Sequence, residues 1–235
     1  MDIRKPKHVG NWRELAGEVA IIVLGVLIAL GAEQLVQRME WRHKLHAAEE
    51  AMRGELKDDD GPQAAIRAAM HPCVQQSLDA IRAGAEQGAG RDAMRRMIDD
   101  YKLPFLTWDS LAYQGAMASD ISVHMPSEAM ERWTSAYAVI PALDRANERE
   151  FQDMARLRAL SRTGGTLSPA ERDRVIDAVE ALRADELEMF TGIQVLIPAL
   201  REVGVHAAAT RTQMAKLRQR YGGCIAAPPQ AAAAK

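Results

Sequence analysis

Glu40, His43, His46 and Glu49 are the residues of this chain best suited by type to hold a metal, four possible ligands at steps of three. Glu-x-x-His pairs serve di-iron bundles, in which two helices each supply such a pair and all ligands project inward. Here the pair occurs once, and steps of three drift around a helix, so the spacing predicts a solvated helix surface and no metal site. Asp58-Asp59-Asp60 offers carboxylates to a hard cation, but the alternating ligands and downstream Glu of a calcium loop are missing. With Gly61-Pro62 it reads as a solvated turn that ends a helix. His71-Pro72-Cys73 and the isolated His124 and His206 read as structural or surface residues. Trp108, Tyr113, Trp133 and Tyr137 are types that line ligand pockets, and at helical spacing they read first as core.

The wider search for chemistry finds no glycine-rich phosphate loop, no Gly-x-Ser-x-Gly elbow, no His-Glu-x-x-His and no dinucleotide fingerprint. No catalytic residue, metal or cofactor is therefore expected. The two cysteines, Cys73 and Cys224, lie outside any Cys-x-x-Cys motif, which argues against zinc or thiol-redox chemistry. Paired, they close a long loop and stabilise the fold by about 4–5 kcal/mol on the chain-entropy account; unpaired, they are two unrelated buried residues. The formal net charge of −2 over 235 residues is mixed along the chain and speaks against a nucleic-acid partner, which selects a concentrated basic face.

The elements that must carry these residues begin with an apolar run over 19–32 in a chain otherwise rich in charge. That run alone is about 21 Å of helix, short of the roughly 30 Å hydrocarbon layer. Its flanks lengthen it. Asn11 with Glu14 fits an N-cap and its reciprocal partner, and Trp12 and Trp41 bracket the run at a separation of roughly 43 Å of helix, near the full bilayer thickness, as interface anchors. The competing reading is a cleaved signal peptide, with Arg4, Lys5, Lys7 and Arg13 ahead of the core and Ala29 and Gly31 at a cleavage spacing. Glu18 at the entrance of the core and the helical composition that runs on through Lys57 favour a span. Basic residues are nearly balanced across it; the short basic tail ahead of it favours a cytoplasmic N-terminus, with the remainder of the chain outside the cytoplasm.

The expected fold is all-α: a cytoplasmic tail over 1–10, a transmembrane helix over 11–37, a helical stalk over 38–60, a helical bundle over 61–223 and a disordered tail over 224–235. In the stalk, Trp41, Leu45, Ala48 and Met52 recur by four, three and four as in a coiled-coil seam. Further helices are expected near 63–87 with a kink at Pro72, and over 91–101, 108–118, 127–160, 169–197 and 199–221. Ser168-Pro169-Ala170-Glu171 combines an N-cap serine, proline at the first helical position and glutamate at the third. Gly222-Gly223 after Tyr221 is a stop signal. No sustained alternation of period two appears, so sheet is not expected.

Gly17-Glu18-Val19-Ala20 and the following Gly25-Val26-Leu27-Ile28-Ala29-Leu30 resemble the N-terminal span of a family of uncharacterised bacterial single-pass membrane proteins, in which a Gly-Glu pair leads a Gly-Ile-Leu-Ile-Ala-Leu core. Trp108 through Met117 is similar to a further segment of such proteins. Where those members carry Asn-Trp-Asn-Glu after the span, this chain has Glu33-Gln34-Leu35-Val36. The resemblance implies an inner-membrane protein with a helical extramembrane domain and implies no reaction.

At about 100° per residue, Glu18, Ile22, Gly25, Ala29, Ala32 and Glu33 fall within roughly one third of the span's circumference. Gly25 and Ala29 form a small-x-x-x-small pair that lets helices approach closely, and the two glutamates are more cheaply kept facing protein than lipid. The bland alternative is that both carboxylates snorkel to the headgroups. The expectation is thus a membrane-anchored, non-catalytic interaction or scaffold protein of the bacterial inner membrane, in contact with the lipid bilayer and with a second copy or another membrane protein. Two alternatives stand beside it: a ligand-sensing or accessory subunit of a larger envelope complex, and an enzyme, which would need a clustered acid, base or metal that the sequence does not display.

Overall fold

The computed structural model describes residues 12–101, 106–162 and 165–226, and every regular element among them is helical. The cap expected at Asn11, the basic tail ahead of it and residues 227–235 lie outside the described residues. The chain divides into two compact units, Met1–Ala47 and Ala48–Lys235.

In the first unit the described residues form the leading part of helix α1 (Trp12–Glu55). Its most apolar window has a mean hydropathy of 2.4 and is 0% buried within the chain. Val19, Ile22, Leu27 and Leu30 are each at least half exposed. A helix apolar all round is at home inside a large core or in lipid, and nothing within the first unit covers this one.

The second unit begins with Ala48, and Met52, Leu56 and Asp60 are already fully buried in it. The turn expected at Asp58–Pro62 is absent. A π-helical segment, Leu56–Asp60, carries the backbone from α1 into α2 (Gly61–Glu86) without a break. The Gly61 N–H bonds back to the Leu56 carbonyl, and a Cβ at Gly61 would lie 2.9 Å from that oxygen and 3.5 Å from the His206 carbonyl. Gly61 is therefore there for close backbone approach, and Pro62 sits where a helix start tolerates it, in the first turn of α2. The helix-breaking pair marks an over-wide turn and not a stop.

Helices α3 (Arg91–Asp99), α4 (Leu111–Ala118), α5 (Ile121–His124), α6 (Ser127–Tyr137), α7 (Ile140–Leu160), α8 (Pro169–Glu202) and α9 (Arg211–Tyr221) follow. The single helix expected over 127–160 is two, with Pro141 in the first turn of the second. Conversely, α8 runs through Pro198, where a break was expected, and ends at Glu202. Leu196, Ile197, Ala199 and Leu200 around that proline are buried, and their burial, about 1.5–3 kcal/mol for each large side chain, offsets the roughly 3 kcal/mol of an interior proline. Pro72 is likewise carried inside α2 between buried Met70 and Cys73.

Helix α8 is the axis of this unit, with α2 and α7 packed along it. Arg67 meets Glu186 while Arg82 meets Glu180, so α2 runs antiparallel to α8. Leu143 lies against Gly192 while Arg149 meets Asp185, so α7 does too. A Cβ at Gly192 would stand 2.6 Å from Leu143 Cδ2, which accounts for the glycine. One end of the bundle is apolar, built from Val74, Leu78 and Ile81 of α2, Met94 and Ile98 of α3, Leu157 of α7, and Val175, Val179 and Leu182 of α8. The start of α8 is capped as its sequence predicts: the Ser168 side chain accepts from the Glu171 N–H, and the Glu171 carboxylate accepts from the Ser168 N–H at 2.8 Å. Thr210 and Gln213 repeat that box at α9. Beyond α9, Gly222 turns at φ 72°. Cys224 then forms a disulfide with Cys73 of α2, Cα to Cα 5.0 Å, and the Ala226 N–H donates to the Ala69 carbonyl.

Candidate functional site

The residues singled out on the span, Glu18, Ile22, Gly25, Ala29, Ala32 and Glu33, are all exposed along α1. A Cβ added at Gly25 would meet nothing within 4 Å. The face is open, and its only hydrogen bond between described side chains is the local one from Gln37 to Glu33 at 3.5 Å. Trp12 is exposed and Trp41 is half-buried with the Lys44 ammonium 4.7 Å over its ring. Of the metal-like set, Glu40 pairs with Lys44 at 2.7 Å and His43 is exposed. Among the described residues no group of three His, Cys, Asp or Glu side chains is placed to hold a metal ion.

The second unit holds two polar centres that the sequence did not disclose. In the first, one guanidinium nitrogen of Arg67 (α2) donates to both Glu150 (α7) and Glu186 (α8), and all three side chains are buried. His71, one turn along α2, sits 2.8 Å from the other Glu186 oxygen and stacks on Phe190 at 3.9 Å. Tyr101 lies beside them, buried, with its hydroxyl unpartnered within the chain. Burial pushes Glu150 well above the usual carboxylate range; Arg67 opposes this, and Glu186 adds to it because the two acids share one cation. Burial likewise raises the Tyr101 phenol. Arg149 and Asp185 continue the network outward at 2.7 Å. The arrangement ties α2, α7 and α8 together by charge, with His71 partly exposed at its rim.

The second centre lies at the π-helical segment. Asp60 is fully buried, and neither of its carboxyl oxygens makes a hydrogen bond of good geometry within the chain. Burial pushes it up to about 8; the Asp109 backbone N–H opposes this, and the negative charges of Glu55, Asp59 and Asp109 add to it. Glu55 bridges two elements, accepting from the Tyr137 hydroxyl of α6 at 2.8 Å and from the Ala112 N–H of α4 at 2.8 Å. Tyr113 stacks on Tyr137 at 4.6 Å, and Trp108 and Trp133 are buried. These four aromatics are structural parts of this packing.

A shallow groove beside α5 and α6 is lined by Val123, Met125, Met130 and Thr134, and a smaller one of about 280 Å³ borders the disulfide near Met97 and Asp100. Neither contains a matched acid and base. No protein family, curated protein or solved structure matches the chain.

Proposed function

We propose that this protein is a membrane-anchored, non-catalytic helical interaction or scaffold protein of the bacterial cell envelope, which assembles with itself or with another membrane protein. The observation that carries the reading is the window of mean hydropathy 2.4 that is 0% buried. In water such a surface would cost about 25 cal/mol for every Å² left uncovered, and a bilayer, with a partner helix against one face, removes that cost. The disulfide between Cys73 and Cys224 supports a periplasmic site for the second unit, since disulfides persist there and are rare in the cytosol. The Gly25 and Ala29 face supports helix association, because close approach without a hydrophobic driving force selects small residues.

The test is the mass of the full-length protein extracted with its native lipid, in parallel with Gly25→Leu and Leu27→Ile. Leu27 lies about 160–200° from Gly25 and Glu18 around the helix. An assembly larger than one copy that Gly25→Leu weakens and Leu27→Ile leaves intact supports the reading. A single copy in all three cases overturns the association, and release of the protein by alkaline carbonate overturns the anchor.

A further inference from the structure

Asp60 combines three observations that ordinary packing does not require. It is fully buried, neither of its oxygens makes a hydrogen bond of good geometry within the chain although the Asp109 backbone N–H bears on it, and it closes the one π-helical interruption among the described residues. A π-helical turn costs hydrogen-bond quality and persists where the surroundings hold it, frequently at functional positions. An ionised carboxylate in that position would be a buried charge with no cation beside it, favoured only by the Asp109 backbone N–H, and such a charge is among the costliest groups a fold can carry.

The neighbouring charged groups make ionisation worse. Glu55 on α1, Asp59 within the π-helical turn and Asp109 ahead of α4 are the strongest charged influences on Asp60, and all are acids. Arg53 on α1 is directed elsewhere: its Nε donates to the Val203 carbonyl at 3.2 Å and its guanidinium lies 5.6 Å over the Trp133 ring. From α6 the facing titratable group is Tyr137, whose one hydroxyl proton is shared between the Met52 carbonyl and Glu55. From the segment after α8, the backbone of His206 and Ala207 packs on Gly61, while the His206 side chain is exposed. None of these elements supplies a cation to Asp60.

We propose that Asp60 is a proton-binding site of the folded protein, and that its bound proton holds the π-helical turn from Leu56 to Asp60 closed. The consequence is a directional pH response at one place. A carboxyl that keeps its proton when closed and loses it when open makes opening release a proton, so opening is favoured as pH rises. Because Glu55 immediately precedes that turn and holds both α4 and α6, opening there frees the Ala112 N–H and the Tyr137 hydroxyl together. The site is thus placed to convert acidity into firmer attachment of α4 and α6 to the turn.

The test is hydrogen exchange of residues 56–61 in the full-length protein in lipid nanodiscs from pH 5 to pH 8, corrected for intrinsic exchange. Native protein is expected to lose protection by about tenfold per pH unit across that window. Asp60→Asn and Asp60→Leu, which cannot ionise, are expected to hold their protection flat. Equal slopes in native protein and in either folded variant overturn the proposal. If neither variant folds, difference infrared spectra of Glu150→Gln decide. A protonated carboxylic acid band at pH 6.5 that titrates near pH 8 supports the site, and its absence at pH 6.5 overturns it.

Discussion

Helices α1 and α8 are both long and both rich in apolar residues, yet the chain treats them oppositely. The apolar window of α1 is 0% buried, whereas Val179, Leu182, Met189, Ile193 and Leu196 of α8 are all fully buried by α2, α6 and α7. The difference is in the pattern. In α8 the apolar residues recur at three and four, leaving an outer face with Glu180, Arg183 and Glu188 that forms ion pairs. Over 19–32 of α1 the apolar residues go all the way round, and no single protein neighbour could cover them. Apolar content alone does not say whether a helix belongs to a core or to a bilayer; its distribution around the axis does.

If the two helices serve different environments, damage to one unit should leave the other intact. The largest effect is expected from the disulfide. Reducing Cys73–Cys224, with a sequence separation of 151, should destabilise the second unit by about 4–5 kcal/mol while leaving the protein in the membrane fraction. Denaturant titration with and without reductant, paired with sedimentation of membranes, reads both. Arg67→Met comes next. It leaves Glu150 and Glu186 buried against each other without their cation, a loss of about 3–5 kcal/mol. The loss should be greater at pH 8 than at pH 5, where the carboxyls can take up protons. The native protein should show the same sign more gently. Glu150 and Asp60 are both raised, so the folded state holds more protons than the unfolded one above the ordinary carboxyl range. For Asp60 this window runs from 3.8 to about 8, and stability falls as pH rises through it. Melting scans between pH 5 and pH 8 check the direction; a rise in melting temperature toward pH 8 would contradict it.

Much of this architecture was legible in the sequence, and the exceptions have physical causes. The Ser168 and Glu171 cap, the Gly222 turn and the apolar run were readable because each is local. The pairing of Cys73 with Cys224 stayed open because a spacing of 151 carries no geometric information. The Arg67 centre was missed because its members are 83 and 119 residues apart. A signal was nonetheless present: Arg67 stands three residues from Ala64 and Met70, Glu150 four from Ala146 and Met154, and Glu186 four from Leu182 and three from Met189. Each is a charge in register with a buried stripe. The helix ends at Pro62 and Pro198 were misplaced because packing outweighed propensity, as the buried Leu56 and Leu200 show.

Two smaller substitutions sharpen the contrast further. Leu27→Arg places a charge near the middle of the apolar run, at a cost of about 2.5–3.5 kcal/mol on insertion scales. It should shift protein from membrane to soluble fractions without altering the melting of the second unit. Thr210→Ala removes one half of the α9 capping box and should cost about 1 kcal/mol, visible only in the melting of the second unit.

The proposed topology, an apolar helix crossing the membrane with the disulfide-bonded unit outside the cytoplasm, is tested most directly by paired reporters fused after Lys235. An enzyme that is active only in the periplasm should work there, and a fluorescent protein that matures only in the cytoplasm should stay dark. Fluorescence from the second together with inactivity of the first would contradict the account.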